Sequence, residues 1–278
     1  MSTVNQWGDK HPPTQQMQDI YDATMMMDEG HIVEAGAGSG KTTLLEGIYN
    51  RLNIGEQLLV TSFTRRITGE LALRMPNAFA KGFHALSYGV LKGRHRYLRW
   101  GKDSVNKYKY QDIAKELKIA RMFPDRKEEE AHWLLEQVIH FIMADLAIPE
   151  PEHLDELADR FALTLPGDLA TTAEAIARMM AVGREQTFEQ ARINFDEMIY
   201  YTVVEQWPLP KFRVVAVDEW QDTNAMQMGL VELIQKDMLI AVGDKRQSIF
   251  LFAGARTDAM DQGREVFGLT PKPLTFCF

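Results

Sequence analysis

Four short apolar runs stand out along the chain: HIVEA at His31–Ala35, QLLVTSF at Gln57–Phe63, FRVVAVDE at Phe212–Glu219 and DMLIAVGD at Asp237–Asp244. Each leads into a polar or glycine-containing loop. Continuous rather than alternating hydrophobicity is what a strand shows when helices cover both of its faces. The pattern therefore predicts an α/β fold built on a parallel sheet. The middle of the chain differs. Glu128–Ala147 and Asp168–Gln186 repeat their apolar residues at helical spacing, with no convincing strand near them. The expected organisation is a sheet domain in two parts, residues 1–90 and 191–278, interrupted by an all-α insert at 91–190. An insert of about a hundred residues is within the usual range for a small domain.

Composition adds limits. With 278 residues, 45% hydrophobic and 25% charged, the chain has what a soluble globular protein needs to bury a core. A single cysteine, Cys277, rules out an internal disulfide framework or a cysteine-based metal site. The first residues, MSTVNQWGDK, do not pattern as a signal peptide, and no apolar run reaches the ~20 residues of a membrane span. A cytoplasmic protein without membrane contact is expected. A net charge of -8 argues against nucleic acid until its distribution is considered. Lys92, Arg94, Arg96, Arg99, Lys102, Lys107 and Lys109 fall close together, opposed only by Asp103 and interleaved with Tyr97, Trp100 and Tyr108; the stretch Asp125–Asp159 is acidic instead. Such a basic, aromatic run is either a solvated face or a nucleic-acid contact.

The strongest local signal is AGAGSGKTT, Ala35–Thr43, placed after one expected strand and before an expected helix, LLEGIYNRL. This is the context of a phosphate-binding loop. Gly36, Gly38 and Gly40 let the backbone N–H groups of the loop, Ala37 and Ser39 included, wrap phosphates. Lys41 neutralises them, Thr42 ligates Mg²⁺, and Thr43 continues the helix N-terminus that favours anions. Ala35 stands where the general pattern has glycine. A second acidic site, VAVDEWQDTN, says what happens to the bound triphosphate. Asp218 ends an apolar strand, where a carboxylate holds Mg²⁺, and Glu219 beside it suits the base that activates water.

DEWQD, followed by VGDKRQSIFLFAGA at Val242–Ala255, resembles motifs II and III of the UvrD/Rep-like superfamily 1 DNA helicases. SFTRRITGEL at Ser62–Leu71 resembles motif Ia, KGFHALSYGVL at Lys81–Leu91 resembles motif Ib, and INFDEMIYYTVVEQ at Ile193–Gln206 resembles the element that returns the family's insert to its motor domain. The resemblance covers essentially the whole chain. It implies a P-loop RecA-like parallel sheet with helices on both faces and an inserted all-α subdomain. It also implies ATP and Mg²⁺ as cofactors, single-stranded and duplex DNA as partners, and 3' to 5' polarity.

By the same resemblance Gln247 couples the γ-phosphate region to DNA, with Lys41 and Glu219 as the other catalytic groups. Phe63, Thr64, Arg65, Phe83, His84, Phe250 and Phe252 are the DNA-facing candidates, since aromatics at the carboxyl ends of strands stack on bases of any sequence. Phe63 and Phe83 also suit simple packing beneath a helix. Ala253 departs from the family's arginine, so no contact is carried over there. PPTQQMQDIYDA at Pro12–Ala23 resembles the motif whose glutamine reads adenine, with the register open between Gln16 and Gln18.

In the family, a segment like the C-terminal LTPKPLTFCF leads into a second RecA-like domain that supplies an arginine to the γ-phosphate. One lobe alone is expected to bind Mg-ATP weakly, to hydrolyse it slowly at best and not to unwind duplex. Two rival readings stay open: a nucleotide-dependent switch or assembly module, and a P-loop ATPase unrelated to nucleic acid.

Overall fold

The computed structural model describes residues 12–62, 64–247 and 258–275. Their contacts divide the chain into two compact units, one taking it up to Leu86 and again from Pro208, the other running Ser87–Trp207. The apolar pattern alone put the ends of the insert at 91 and 190. Contact places them at Ser87 and Trp207, because Leu91, Ile193, Met198, Tyr201 and Trp207 share one buried cluster.

The first unit is a six-stranded sheet of β1 (His31–Ala35), β2 (Leu58–Ser62), β3 (Phe79–Ala80), β4 (Phe212–Asp218), β5 (Gln235–Gly243) and β6 (Thr270–Leu274). The order is β3-β2-β4-β5-β1-β6 and every pair is parallel. Pro271 and Pro273 remove N–H donors from β6, which suits a strand at the sheet edge.

Alternate residues of the strands face opposite ways. Val33, Val60, Val214, Ala216, Ile240 and Val242 join one core with residues of α1 (Gln15–Met26), α2 (Lys41–Leu52) and α3 (Arg65–Arg74). Their neighbours Ile32, Leu59, Val215, Val217, Leu239 and Ala241 are equally buried. α10 (Ala225–Ile234) packs on β4, and α11 (Ala259–Phe267) on β1 and β5. Burial on both faces explains why these strands read as unbroken apolar runs. The registers pair Ser62 with Asp218, Asp218 with Val242, Glu34 with Gly243 and Ala35 with Leu274, so the strands finish along one common edge.

α4 (Phe83–Arg94) carries the chain into the second unit. This contains α5 (Lys109–Glu116), α6 (Glu128–Asp145), α7 (Pro151–Phe161), α8 (Leu169–Gln190) and α9 (Phe195–Val204). Its core draws Ile113, Leu135, Ile139, Leu154, Ile176 and Met179 from the faces of four helices. Asn194 caps α9 by accepting from the Glu197 N–H at 2.9 Å, and Glu197 returns a bond to the Asn194 N–H at 2.9 Å.

That cap aims the Glu197 carboxylate inward at Lys109, 2.7 Å away, with both side chains fully buried. The Lys109 ammonium also donates to the carbonyls of Gly183 and Arg192 and to the Thr187 hydroxyl, while Glu197 accepts from the Tyr110 hydroxyl at 2.9 Å. Lys109 is thereby withdrawn from the exposed basic run to which its position in sequence assigned it. Lys92, Arg94, Arg96, Arg99 and Lys107 are exposed, as are Tyr97 and Tyr108.

Candidate functional site

Beyond Ala35 the chain turns through Gly36–Gly40 into α2. Gly40 holds φ at 91°, left-handed backbone that a Cβ would strain. Ser39 is buried, and both its hydroxyl and its N–H donate to the Gly36 carbonyl, at 2.8 and 3.2 Å. These two bonds fold the loop on itself. Lys41, Thr42 and Thr43 form the first turn of α2, so their backbone N–H groups have no acceptor within the helix, and the helix dipole adds partial positive charge there.

Asp218 closes β4, two strands away in the sheet, and Glu219 follows it with φ at 56°. A non-glycine residue in that region costs roughly 1–3 kcal/mol and persists only where its surroundings hold it. The hold comes from the short turn Trp220–Asp222 that follows. Trp220 is buried, donates from Nε1 to the Ala259 carbonyl at 3.0 Å and meets Phe267 edge-on at 5.8 Å between ring centroids.

The turned backbone brings the Glu219 carboxylate to 2.7 Å from the Lys41 ammonium. Asp218 is 3% exposed, and its carboxylate accepts from the Glu219 N–H at 3.0 Å. Burial first, and the adjacent Glu219 charge second, push its pKa up to about 6, against the pull of Lys41.

From Glu219 a polar chain crosses to the end of β5. Gln221 donates to Glu219 at 2.8 Å and accepts from the Asp244 N–H at 2.9 Å; the Asp244 carboxylate in turn accepts from the Arg246 N–H at 3.0 Å and from the Gln247 side-chain amide. Lys41, Glu219 and Gln247, far apart in sequence, are linked here through Gln221 and Asp244. By the resemblance Gln221 belongs to the same polar cluster as Gln247; Asp244 stood among no candidates read from sequence. Their signal was present in the same two motifs, but the hydrogen bond between them spans 23 positions and has no periodic trace.

The remaining candidates fall into different settings. Gln16 donates to the Thr275 hydroxyl at 3.1 Å and accepts from the Thr275 N–H at 2.9 Å, which puts it beside the end of β6, the neighbour of β1. Gln18 is bonded to Asp22 one turn further along α1 at 2.7 Å. Thr64 caps α3 through the Ile67 N–H, and Arg65 is exposed on its first turn. His84 is half-buried at the start of α4. Phe83 is 3% exposed, which favours packing beneath a helix, the alternative its sequence left open, over a face for stacking. Phe63, Phe250 and Phe252 lie outside the described residues.

The sequence that builds this sheet and these turns matches a known family. The family model for the UvrD/REP helicase N-terminal domain matches residues 17–267. A probable DNA helicase II homolog of Mycoplasma pneumoniae is 22% identical over 262 residues, covering 87% of this chain and 36% of its own length. ATP-dependent DNA helicase UvrD1 of Mycobacterium tuberculosis is 26% identical over 255 residues, covering 81% and 32%. ATP-dependent DNA helicase PcrA of Bacillus subtilis is 24% identical over 260 residues, covering 84% and 33%. The chain thus spans about a third of the length of these curated relatives.

Proposed function

This chain belongs to the UvrD/REP helicase family through that family's N-terminal domain, and from that premise we propose that it is the nucleotide-binding lobe of an ATP-dependent DNA helicase. With a second RecA-like lobe it translocates on single-stranded DNA, 3' to 5', and opens duplex. The observation that carries the reading is the 2.7 Å pairing of Lys41 with Glu219 across the aligned ends of β1 and β4. It sets a phosphate-binding cation beside a base for water.

In this reading the backbone of Gly36–Thr43 holds the phosphates, and a phosphate oxygen competes with Glu219 for Lys41. Glu219, released from the cation and still bonded to Gln221, accepts the proton of the attacking water. The Thr42 hydroxyl and the Asp218 carboxylate are hard oxygen donors that suit Mg²⁺. Mg²⁺ when bound neutralises charge on the phosphates. Gln16, fastened to the end of β6, is better supported than Gln18 as the group that meets adenine. Gln247 relays the nucleotide state. Thr64, Arg65 and His84, together with Phe63, Phe250 and Phe252, are proposed for DNA.

Steady-state ATPase tests this, with and without single-stranded DNA, on the chain and on a version extended by a second motor domain. DNA-stimulated turnover by the extended protein, falling as salt rises, is the expected result. An extended protein that binds ATP and never responds to DNA would replace the helicase reading with the switch module.

A further inference from the structure

We infer that Gln221 is a positioning residue: it fixes the direction of the Glu219 carboxylate and ties it to the strand end that carries Asp244 and Gln247. The inference rests on the nucleotide reading above and deepens it, by giving the bond from Gln221 to Glu219 a task of its own.

The side chain is 3% exposed, and its two ends are used differently. The amide nitrogen donates to Glu219 Oε2 at 2.8 Å and reaches Asp222 Oδ2 at 3.4 Å. The amide oxygen accepts from the Asp244 N–H at 2.9 Å. Since a backbone N–H is a donor only, the amide orientation is fixed, and Glu219 receives the donating end. Glu219 Oε2 therefore has two donors, Lys41 and Gln221. If phosphate takes Lys41 away, Gln221 is the group that keeps the carboxylate aimed.

A second observation is independent of these bonds. A Cβ on Gly243, the last residue of β5, would lie 2.5 Å from Gln221 Oε1 and 3.1 Å from the Gln221 backbone nitrogen. Only glycine lets the glutamine lie across the strand end this closely. The strand has been cleared for this side chain, and the turn at Trp220–Asp222 is pinned to it. Misplacing a reacting group by about an ångström costs on the order of a hundredfold in rate, so the aim of Glu219 is worth this much construction.

The two ends of the amide can be separated by substitution. Gln221→Glu keeps an acceptor for the Asp244 N–H and loses the donor to Glu219; Gln221→Met loses both. Hydrolysis of ATP by the whole chain under single-turnover conditions gives the rate at saturation and the half-saturating concentration separately. The expected result is a rate lowered about ten- to hundredfold in both variants, with half-saturation within about threefold of the parent. A role confined to holding β5 would leave Gln221→Glu at the parent rate and lower only the melting temperature of Gln221→Met, and this would overturn the inference.

A second measurement needs no turnover. In ¹⁵N-labelled chain the side-chain amide resonances of Gln221 should shift on Glu219→Gln; resonances that do not move would also overturn it. Failure of the parent chain to bind Mg-ATP at all is a different result: it removes the nucleotide reading, and the amide shifts then decide the Gln221 bond alone.

Discussion

Two lysine–glutamate pairs sit in this molecule at the same 2.7 Å, one in each unit, and their surroundings differ completely. Lys109 and Glu197 are fully buried, and carbonyls, hydroxyls and a backbone N–H fill out the rest of their bonding. Lys41 and Glu219 keep 13% and 24% of their side chains exposed, on the edge where loops converge. A closed pair has nothing to exchange with. An open one offers each partner to an incoming anion or water at small cost. Equal distance thus says little about purpose; saturation and burial separate a structural pair from a working one.

Removing a partner should expose the difference most sharply in the closed pair. Lys109→Ala strands Glu197 uncompensated in the helical unit, and denaturant titration should show a loss of about 3–5 kcal/mol. Glu197→Ala should do the same from the other side. Lys41→Ala, by contrast, should change stability by less than about 1 kcal/mol, while abolishing the rise in melting temperature that Mg-ATP gives the parent. A Lys41 variant as destabilised as the Lys109 one would erase the distinction.

Smaller still is the effect expected at Gln16. Replacement by Ala should reduce the preference for ATP over GTP by about fivefold, the worth of one good hydrogen bond. Gln18→Ala should leave it unchanged; equilibrium titration with both nucleotides decides between them.

The least conspicuous effect is on pH. His132 on α6 is buried, neither ring nitrogen has a hydrogen-bond partner among the described residues, and its pKa is lowered, chiefly by burial. The unfolded chain, with a histidine pKa near 6.5, then binds a proton that the folded one refuses. Stability is therefore full above about pH 6.5 and declines as pH falls below it. Buried His31 on β1, whose pKa is also lowered mainly by burial, pulls the same way in the sheet unit. His132→Leu should flatten the pH dependence of stability between about pH 6.5 and 5, measured by denaturant titration at each pH.

How much of this was legible in the sequence follows from the same contrast. The loop Gly36–Thr43 and the pair Asp218–Glu219 are contiguous, and their chemistry constrains spacing, so they could be read directly. β1 matched its run residue for residue. β5 begins at Gln235, two residues before the apolar run, because α10 ends at Ile234 and passes straight into it. β3 has two residues and no period at all. The Lys109–Glu197 pair was invisible: its members lie 88 positions apart, and a lysine in a basic run reads as surface. Phe83 stayed open between packing and stacking for the converse reason, since an aromatic in a loop-like motif carries no mark of which way it packs.

The central claim is that the edge holding Lys41 and Glu219 binds ATP and cleaves it. Binding and single-turnover hydrolysis of Mg-ATP, compared between the parent chain and Glu219→Gln, test it most directly. The account predicts that both bind nucleotide, that the parent hydrolyses it slowly, and that the variant loses about a hundredfold or more of that rate. Equal hydrolysis by the two would contradict the assignment of Glu219 as the base.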